Sequence, residues 1–487
     1  MDKVSTRNKL AYAVPSIGRD MMYALYATYL MVFLTDALGL SDWELVAVGV
    51  VIAIARVWDA VNDPMMGVII DNTETRHGKF KPWILSGALL SGIFMFMLFQ
   101  DYGLTGWGFI TLFAVLYVFS GMTFTMNDIS YWSMYPTFST NQKERESIGA
   151  LARIFASLGM FIVIAAVPII YQNFPGGPKR GFFWIVLVTA AIFIISQVVV
   201  FFGVKEKKSL ITDVKQAKTR LRDMVSIIFK NDQLVVIIIA ILLFNTGYFI
   251  TTSLGIYFFS YDLNLYGGIE FTLFSGILAV SQLSALALFP FLAKKMTRKK
   301  IFTIAVIMIA VGYTLFMSVG YVFPDSVSMP VVGLAGLVLF SGQGFIQVLT
   351  LVMLADTIEY GQWKIGTRNE SVVFAINPFV TKLASAFQAA IVAMTLAFSG
   401  LNSKVINPVT RAKEADPGLS NDAVREMIAS LVEAPMLLAL RLSMIIVPLI
   451  LIIISYIVYR KSYKIDTAFY DRITKDLEER MAGQAGA

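Results

Sequence analysis

The sequence predicts an all-α membrane protein of twelve spanning helices, built as two six-helix halves with both termini in the cytoplasm. Three observations carry that expectation. The chain of 487 residues is 57% hydrophobic and only 15% charged, with a mean hydropathy of +0.70. A soluble fold of this length could not bury so much apolar surface, so lipid is the expected solvent. Apolar runs of about twenty residues or more recur along the chain, the length an α-helix needs to cross the hydrocarbon layer. Basic clusters fall after alternate runs, as the positive-inside rule requires.

The runs cover residues 10–36, 44–70, 82–101, 108–136, 147–171, 181–203, 233–260, 270–293, 301–321, 330–359, 370–399 and 432–459. Their length argues for helices, because only helices and closed barrels satisfy every backbone polar group in lipid. Lys79–Lys81, Lys143–Arg145, Lys205–Lys208, Lys294–Lys300 and Arg460–Lys464 mark the cytoplasmic side. The loops Asp36–Asp42, Asp101–Gly108, Asp262–Gly268 and Pro324–Pro330 hold no Lys or Arg. Lys179–Arg180 and the 400–430 loop, with four basic residues, depart mildly from the pattern. Long loops weigh less in the rule.

Residues 1–203 form the expected first bundle, 204–232 a basic cytoplasmic middle loop, 233–460 the second bundle and 461–487 a charged tail. "DNTETRHGKFKP" follows the second run, and "AKKMTRKK" follows the eighth. "NDISYWSMYP" leaves the fourth run, and "ADTIEYGQWK" leaves the tenth. Matched loops in six-plus-six order point to a transporter of two repeats with a midplane site. The polar start "MDKVSTRNKL" lacks a signal-peptide pattern.

Composition excludes several functions. The chain has no cysteine, so thiol and disulfide chemistry are absent. The net charge of +7 is assigned to loops rather than to a nucleic-acid partner. His77, the one histidine, reads as a solvated loop residue. No metal-ligand spacing and no phosphate loop occurs, so no enzyme, no ATP-driven pump and no cofactor is expected. An ion gradient then remains as the energy source.

A charge at the bilayer centre costs roughly 2.5–3.5 kcal/mol on insertion scales, so intramembrane charges mark function. The second run carries Arg56, Asp59 and Asp63 at i, i+3 and i+7, on one helical face. Two carboxylates on successive turns repel, and a cation or proton relieves the repulsion. Asn62 adds an amide oxygen, giving hard ligands suited to a small hard cation. The alternative is a purely structural salt-bridge cluster with Arg56. Arg19, Asp20, Asp128, Arg153 and Lys382 are further charges inside apolar runs. Trp132 lies one turn beyond Asp128, so a sugar could offer hydroxyls to the acid and stack on the ring. Trp132 could equally be an interfacial belt aromatic. Asn245, Thr246, Tyr248, Gln343, Gln347 and Asn377 are uncharged hydrogen-bonders that more often link helices. Asp356, Glu359, Lys364 and Arg368 cluster at the cytoplasmic end of the tenth run and read as a gating network or hydrated surface charge.

"RVWDAVNDPMMGVIIDNTETRHGKFKPW" resembles a signature of the glycoside–pentoside–hexuronide:cation symporter family, a branch of the major facilitator superfamily. "TFTMNDISYWSMYP", "ERE" at Glu144–Glu146, "RIFASLG" and "DTIEYGQWKIGTRNES" resemble further family segments in order. The first half is similar to the melibiose-carrying branch. That resemblance implies cation binding by Asp59, Asp63, Asn62 and Thr125, and sugar binding by Asp20, Asp128, Trp132 and Arg153. It also brings Lys382 near the cation site. "NDQL" at Asn231–Leu234, "IEYGQWK" and "NPFVTKL" resemble the lactose and raffinose branch, without its phosphotransferase-like tail.

Arg19, Phe124 and Pro378 depart from the melibiose branch, which has lysine, tyrosine and threonine there; the lactose branch prefers Glu at position 59. Arg19, Asn377 and Lys382 complete the expected substrate contacts, while Arg56, Asp356, Glu359 and Arg368 are the expected gating or structural charges. The resemblance implies a sugar:cation symporter of the bacterial cell membrane, coupled to Na+ or H+ and working as a monomer in the bilayer. A galactoside di- or oligosaccharide is the first expectation. Another glycoside, a pentoside, a glucuronide, a lysolipid or a non-transporting sensor role are the alternatives.

Overall fold

The computed structural model describes residues 4–73, 75–134, 138, 142–204, 228–320, 329–366, 370–416 and 418–485. Each of the twelve apolar runs falls on helix. Ten helices among the described residues are long and apolar enough to cross a membrane. The other two runs are the interrupted opening helix and the charged second one. The opening run comprises α1 (Thr6–Ala13), α2 (Ser16–Ala24) and the short helix Leu30–Val32 between two π-helical turns, Leu25–Tyr29 and Phe33–Ala37. Then come α3 (Asp42–Asp71), α4 (Lys81–Leu98), α5 (Gly106–Met134), α6 (Gln142–Asn173) and α7 (Gly177–Gly203). The later part holds α8 (Asp232–Tyr257), α9 (Glu270–Lys295), α10 (Arg298–Ser318), α11 (Met329–Ile365) and α12 (Glu370–Phe398). Short helices α13 (Asn407–Ala415), α14 (Asn421–Leu431) and α15 (Ala434–Arg441) precede α16 (Val447–Ser462) and the tail helix α17 (Thr467–Ala485). Most of the middle loop, residues 205–227, lies outside the described residues.

Local chemistry sets the ends. Ser5 accepts a hydrogen bond from the Asn8 amide at 3.3 Å and caps α1. Ser420 does the same for Ala423 at 3.2 Å and caps α14. Such caps satisfy amides that the first helical turn leaves without partners. Gly176, at φ +102°, turns the chain between α6 and α7 in a left-handed conformation that side chains disfavour.

The chain divides into two compact units. One contains residues 1–216, 256–275 and 389–440. The other contains 217–255, 276–388 and 441–487. In the first unit, α2 packs on α6 and α7, α3 on α5, and α4 on α5 and α7. Glycines permit the closest approaches, as is usual where lipid gives no hydrophobic drive. A methyl at Gly87 would lie 2.6 Å from the Asn127 amide, and one at Gly159 would collide with the Ile17 carbonyl. The Tyr12 and Tyr131 rings stack 4.4 Å apart, and each hydroxyl donates to the other residue's carbonyl, at 2.8 and 2.6 Å. That reciprocal pair ties α1 to α5.

In the second unit, α10 packs on α11 and α16, and α17 on α11. The Asn231 side chain accepts from the Leu234 amide at 3.0 Å and donates to the Thr357 carbonyl at 2.8 Å. Buried Arg441 donates to the Val319 carbonyl at 2.6 Å. The charged tail is helical, and Trp363 donates to Asp476 at 2.9 Å, which holds α17 on α11.

Candidate functional site

Two polar clusters sit inside the first unit. The first lies between α3 and α5. Asp59 and Asn62 are buried, with Asp63 half-buried on the next turn. Thr125 on α5 donates its hydroxyl to Asp63 Oδ1 at 3.1 Å. Arg56 Nη1 stands 3.6 Å from Asp59 Oδ2. The Arg56 guanidinium also lies 5.3 Å from the Tyr26 ring centre and 5.9 Å from that of Tyr117. Cation–π attraction therefore shares Arg56 between aromatics and Asp59. Among the described residues, none gives a hydrogen-bond partner to buried Arg56 Nε or Asn62 Nδ2. Two carboxylates, an amide oxygen and a hydroxyl make an all-oxygen donor set, the chemistry a small hard cation takes. Gly121 faces Asp59 so closely that a methyl there would lie 3.0 Å from Oδ1.

The second cluster joins α2, α5 and α6. Buried Arg19 donates through Nε and Nη2 to Asp20 Oδ2, at 3.0 and 2.6 Å. Its Nη1 donates to Asp128 Oδ1 across to α5. The guanidinium lies 4.7 Å from the Trp132 ring centre and 4.9 Å from that of Tyr131. Arg153, on α6, places its own guanidinium 4.7 Å from the same Trp132 ring. The Asp128 side chain is 42% exposed, against 4% for Arg19. Trp132 thus meets two guanidinium groups, an arrangement that spacing along one helix does not reveal.

The remaining expected site residues lie in the second unit. Asn377 and Lys382 are half-buried on α12. Asn245 links to Thr381 at 3.5 Å, Tyr248 accepts from Gln282 at 2.8 Å, and Gln343 donates to Tyr313 at 3.3 Å. These are helix-to-helix links. Asp356 and Lys364 take partners from other segments of the chain. Asp356 takes Arg298 and the Tyr463 hydroxyl, while Lys364 pairs with Asp232 at 2.5 Å. Glu359 is half-buried on α11, and Arg368 lies outside the described residues. His77 is exposed in its loop, as expected.

A third constellation escaped sequence reasoning. In the first unit, segments of the chain's second half are fastened to ends of its first half. Buried Asp36 accepts from Tyr171 at 2.9 Å and from Thr35 at 3.0 Å. Thr35 also bonds the Tyr257 hydroxyl at 2.9 Å. Thr410 donates to the Asp36 carbonyl at 3.1 Å, and Lys413 donates to the Gln172 carbonyl at 2.8 Å. Asn402 and Asn407 both donate to the Leu40 carbonyl, at 2.8 and 3.0 Å. Lys179 bridges Asp101 at 2.8 Å and Glu414 at 2.6 Å. Three turns in this clasp are π-helical: Phe33–Ala37, Phe258–Asp262 and Asn402–Ile406.

Comparison with known proteins decides the family. The family model described as MFS/sugar transport protein matches residues 11–467. The chain belongs to that family. Within it, a lactose permease of Leuconostoc lactis is 31% identical over 81% of this chain and 64% of its own length. A raffinose carrier protein of Pediococcus pentosaceus is 28% identical over 81% of this chain and 63% of its own. The chain therefore spans under two thirds of the length of these relatives. An isoprimeverose transporter of Lactiplantibacillus pentosus is 26% identical over 80% of each. Among solved structures, a bacterial homolog of the lysosomal transporter Spinster superposes with a TM-score of 0.61 at 10% identity, over 94% of this chain and 95% of its own. The nucleoside transporter NupG gives 0.57 at 14%, over 87% of this chain and 98% of its own. The sugar-transport family member shares their fold. It is a multi-pass protein of a bacterial cell membrane, and its relatives are transporters rather than enzymes.

Proposed function

We propose that this family member is a secondary sugar:cation symporter with twelve spans and cytoplasmic termini, importing a galactoside-type di- or oligosaccharide by alternating access. The observation that carries the reading is the pair of polar clusters in one unit. Asp59, Asp63, Asn62 and Thr125 take the coupling ion, Na+ or H+. Asp20, Asp128, Trp132 and Arg153 receive the sugar, and Arg19 lies among them. Both clusters hang on α5, through Thr125 and Asp128, three residues and about one helical turn apart. Ion binding neutralises the acids of α3 and settles α5, which favours sugar on the adjacent turn. That is a coupling free energy, and it is reciprocal. Relatives named for lactose and raffinose support a galactoside as first candidate. With the basic loops inside, the clasp around Asp36 is the outer gate.

Uptake into proteoliposomes tests the reading. Labelled lactose, melibiose and raffinose are offered under an imposed sodium gradient, then under a proton gradient. Accumulation driven by one gradient identifies the ion. No accumulation of any of the three removes the galactoside assignment.

A further inference from the structure

We infer that Arg19 is a built-in stand-in for the substrate, which occupies the sugar's partners in the empty carrier and must be displaced by it. This rests on the sugar-site reading above. Sugar recognition there needs donors aimed at the carboxylates of Asp20 and Asp128 and a flat body on Trp132. The Arg19 guanidinium supplies all three at once. It is flat, it donates to both acids, and its centre lies 4.7 Å from the Trp132 ring centre.

The two acid contacts are not equal. Asp20 neighbours Arg19 in sequence and takes two of its donors. Asp128 comes from another helix, takes one donor, and is 42% exposed. The Asp128 bond is therefore the leg a ligand can exchange, while Arg19 stays neutralised by Asp20. A sugar hydroxyl that donates to Asp128 replaces the guanidinium donor without leaving a buried charge alone. Breaking such a pair without replacement is costly, which makes the exchange selective. Ligands without a donor for Asp128, such as an ether or a deoxy sugar at that position, leave the Arg19 bond in place. Arg19 thus sets specificity by competition, and it lowers affinity while doing so.

Chemical replacement of the side chain tests this on the purified full-length carrier. Arg19→Ala leaves a pocket between Asp20, Asp128 and Trp132 that methylguanidinium fits. The expected result has two arms. Methylguanidinium at millimolar concentration raises the melting temperature of Arg19→Ala but not of the wild type, and adding Asp128→Asn abolishes the effect. In binding titrations with whichever of lactose, melibiose and raffinose binds the wild type, Arg19→Ala binds about tenfold tighter. That factor corresponds to a stand-in holding roughly nine-tenths of the empty carriers. Methylguanidinium then weakens sugar binding to Arg19→Ala competitively.

Weaker sugar binding by Arg19→Ala, restored by methylguanidinium, makes Arg19 a direct sugar ligand and overturns the inference. So does sugar binding by Arg19→Ala that methylguanidinium leaves untouched. Cation-dependent thermal stabilisation, read at the Asp59–Asp63 cluster, checks that the variant is folded; Arg19→Gln is the second variant if it is not. Failure of all three sugars to bind the wild type refutes the sugar-site reading instead, and the melting arm still decides whether the pocket takes a guanidinium.

Discussion

Gly121→Ala is the sharpest probe of the α3–α5 cluster, because it changes one methyl and no charge. Gly121 lies inside α5, and the added carbon would stand 3.0 Å from Asp59 Oδ1. Real contacts of that kind are rarely so short, so the carboxylate must give by a few tenths of an ångström. Ligand distances at an ion site tolerate about 0.2 Å. Moving one oxygen by more than that should weaken ion affinity about tenfold, the lower end of what misplacing a ligand's support costs. A tenfold loss is about 1.4 kcal/mol. The fold itself should not suffer, since Ala is favoured over Gly inside a helix by about 1 kcal/mol. The assay is ion-dependent thermal stabilisation of the purified carrier, titrated with Na+ and separately with pH. Half-saturation should shift about tenfold while the ion-free melting temperature holds or rises. An unchanged half-saturation would mean that Asp59 does not contact the ion, and the donor set assigned above would be wrong.

Other consequences are open to direct measurement. Asp63→Cys should abolish gradient-driven accumulation at normal expression; accumulation at the wild-type level would remove Asp63 from coupling. Lys413→Ala removes the charged hydrogen bonds to the Gln172 carbonyl and the Asn421 amide oxygen, each worth about 1.5–3 kcal/mol. It should raise thiol labelling of Ala37→Cys at least several-fold, and the native chain has no cysteine to confuse the signal. Gly159→Val forces a side chain against the Ile17 carbonyl. Overpacking of that kind costs about 1–3 kcal/mol, so the melting temperature should fall and sugar binding on α2 weaken with it. At Asp101, burial pushes the carboxyl up, but hydrogen bonds from Lys179 and the Gly103 amide outweigh it and hold the group below its ordinary range. A lowered carboxylate pKa stabilises above the ordinary value of about 3.9 and fades as pH falls through the lowered one. The stability gap between wild type and Asp101→Asn should thus stay flat from about pH 5 to 8 and close only in stronger acid.

The helices were legible because lipid leaves few choices, and length and apolarity mark them directly. Asp59 and Asp63 were legible for the opposite reason: a charge in an apolar run announces its cost. Asp36 carried no such mark. It ends an apolar run, where an acid ordinarily meets water, and nothing nearby in sequence hints at Tyr171 as its partner. The partner of Asp356 was hidden in the same way, since Arg298 lies 58 residues off, while the expected partners lay within one loop. Spacing along α5 offers Trp132 as a sugar platform or a belt aromatic, but it hides the two guanidinium groups beside the ring. Spacing decides which face a residue takes along its own helix; what arrives from α2 or α6 depends on packing.

The three π-helical turns in the clasp each hold one residue more than an α-helical turn would. Returning such a turn to the α form swaps an i→i+5 bond for an i→i+4 bond and takes up that residue. Everything beyond it then rotates by roughly 100° and advances by roughly 1.5 Å. Thr35 and Asp36, Ser260 and Asn402 all ride on these turns. Each such turn is a ratchet tooth wound into the helix, so a local change of pitch takes the polar groups it carries away from their partners and turns the segment beyond along with them.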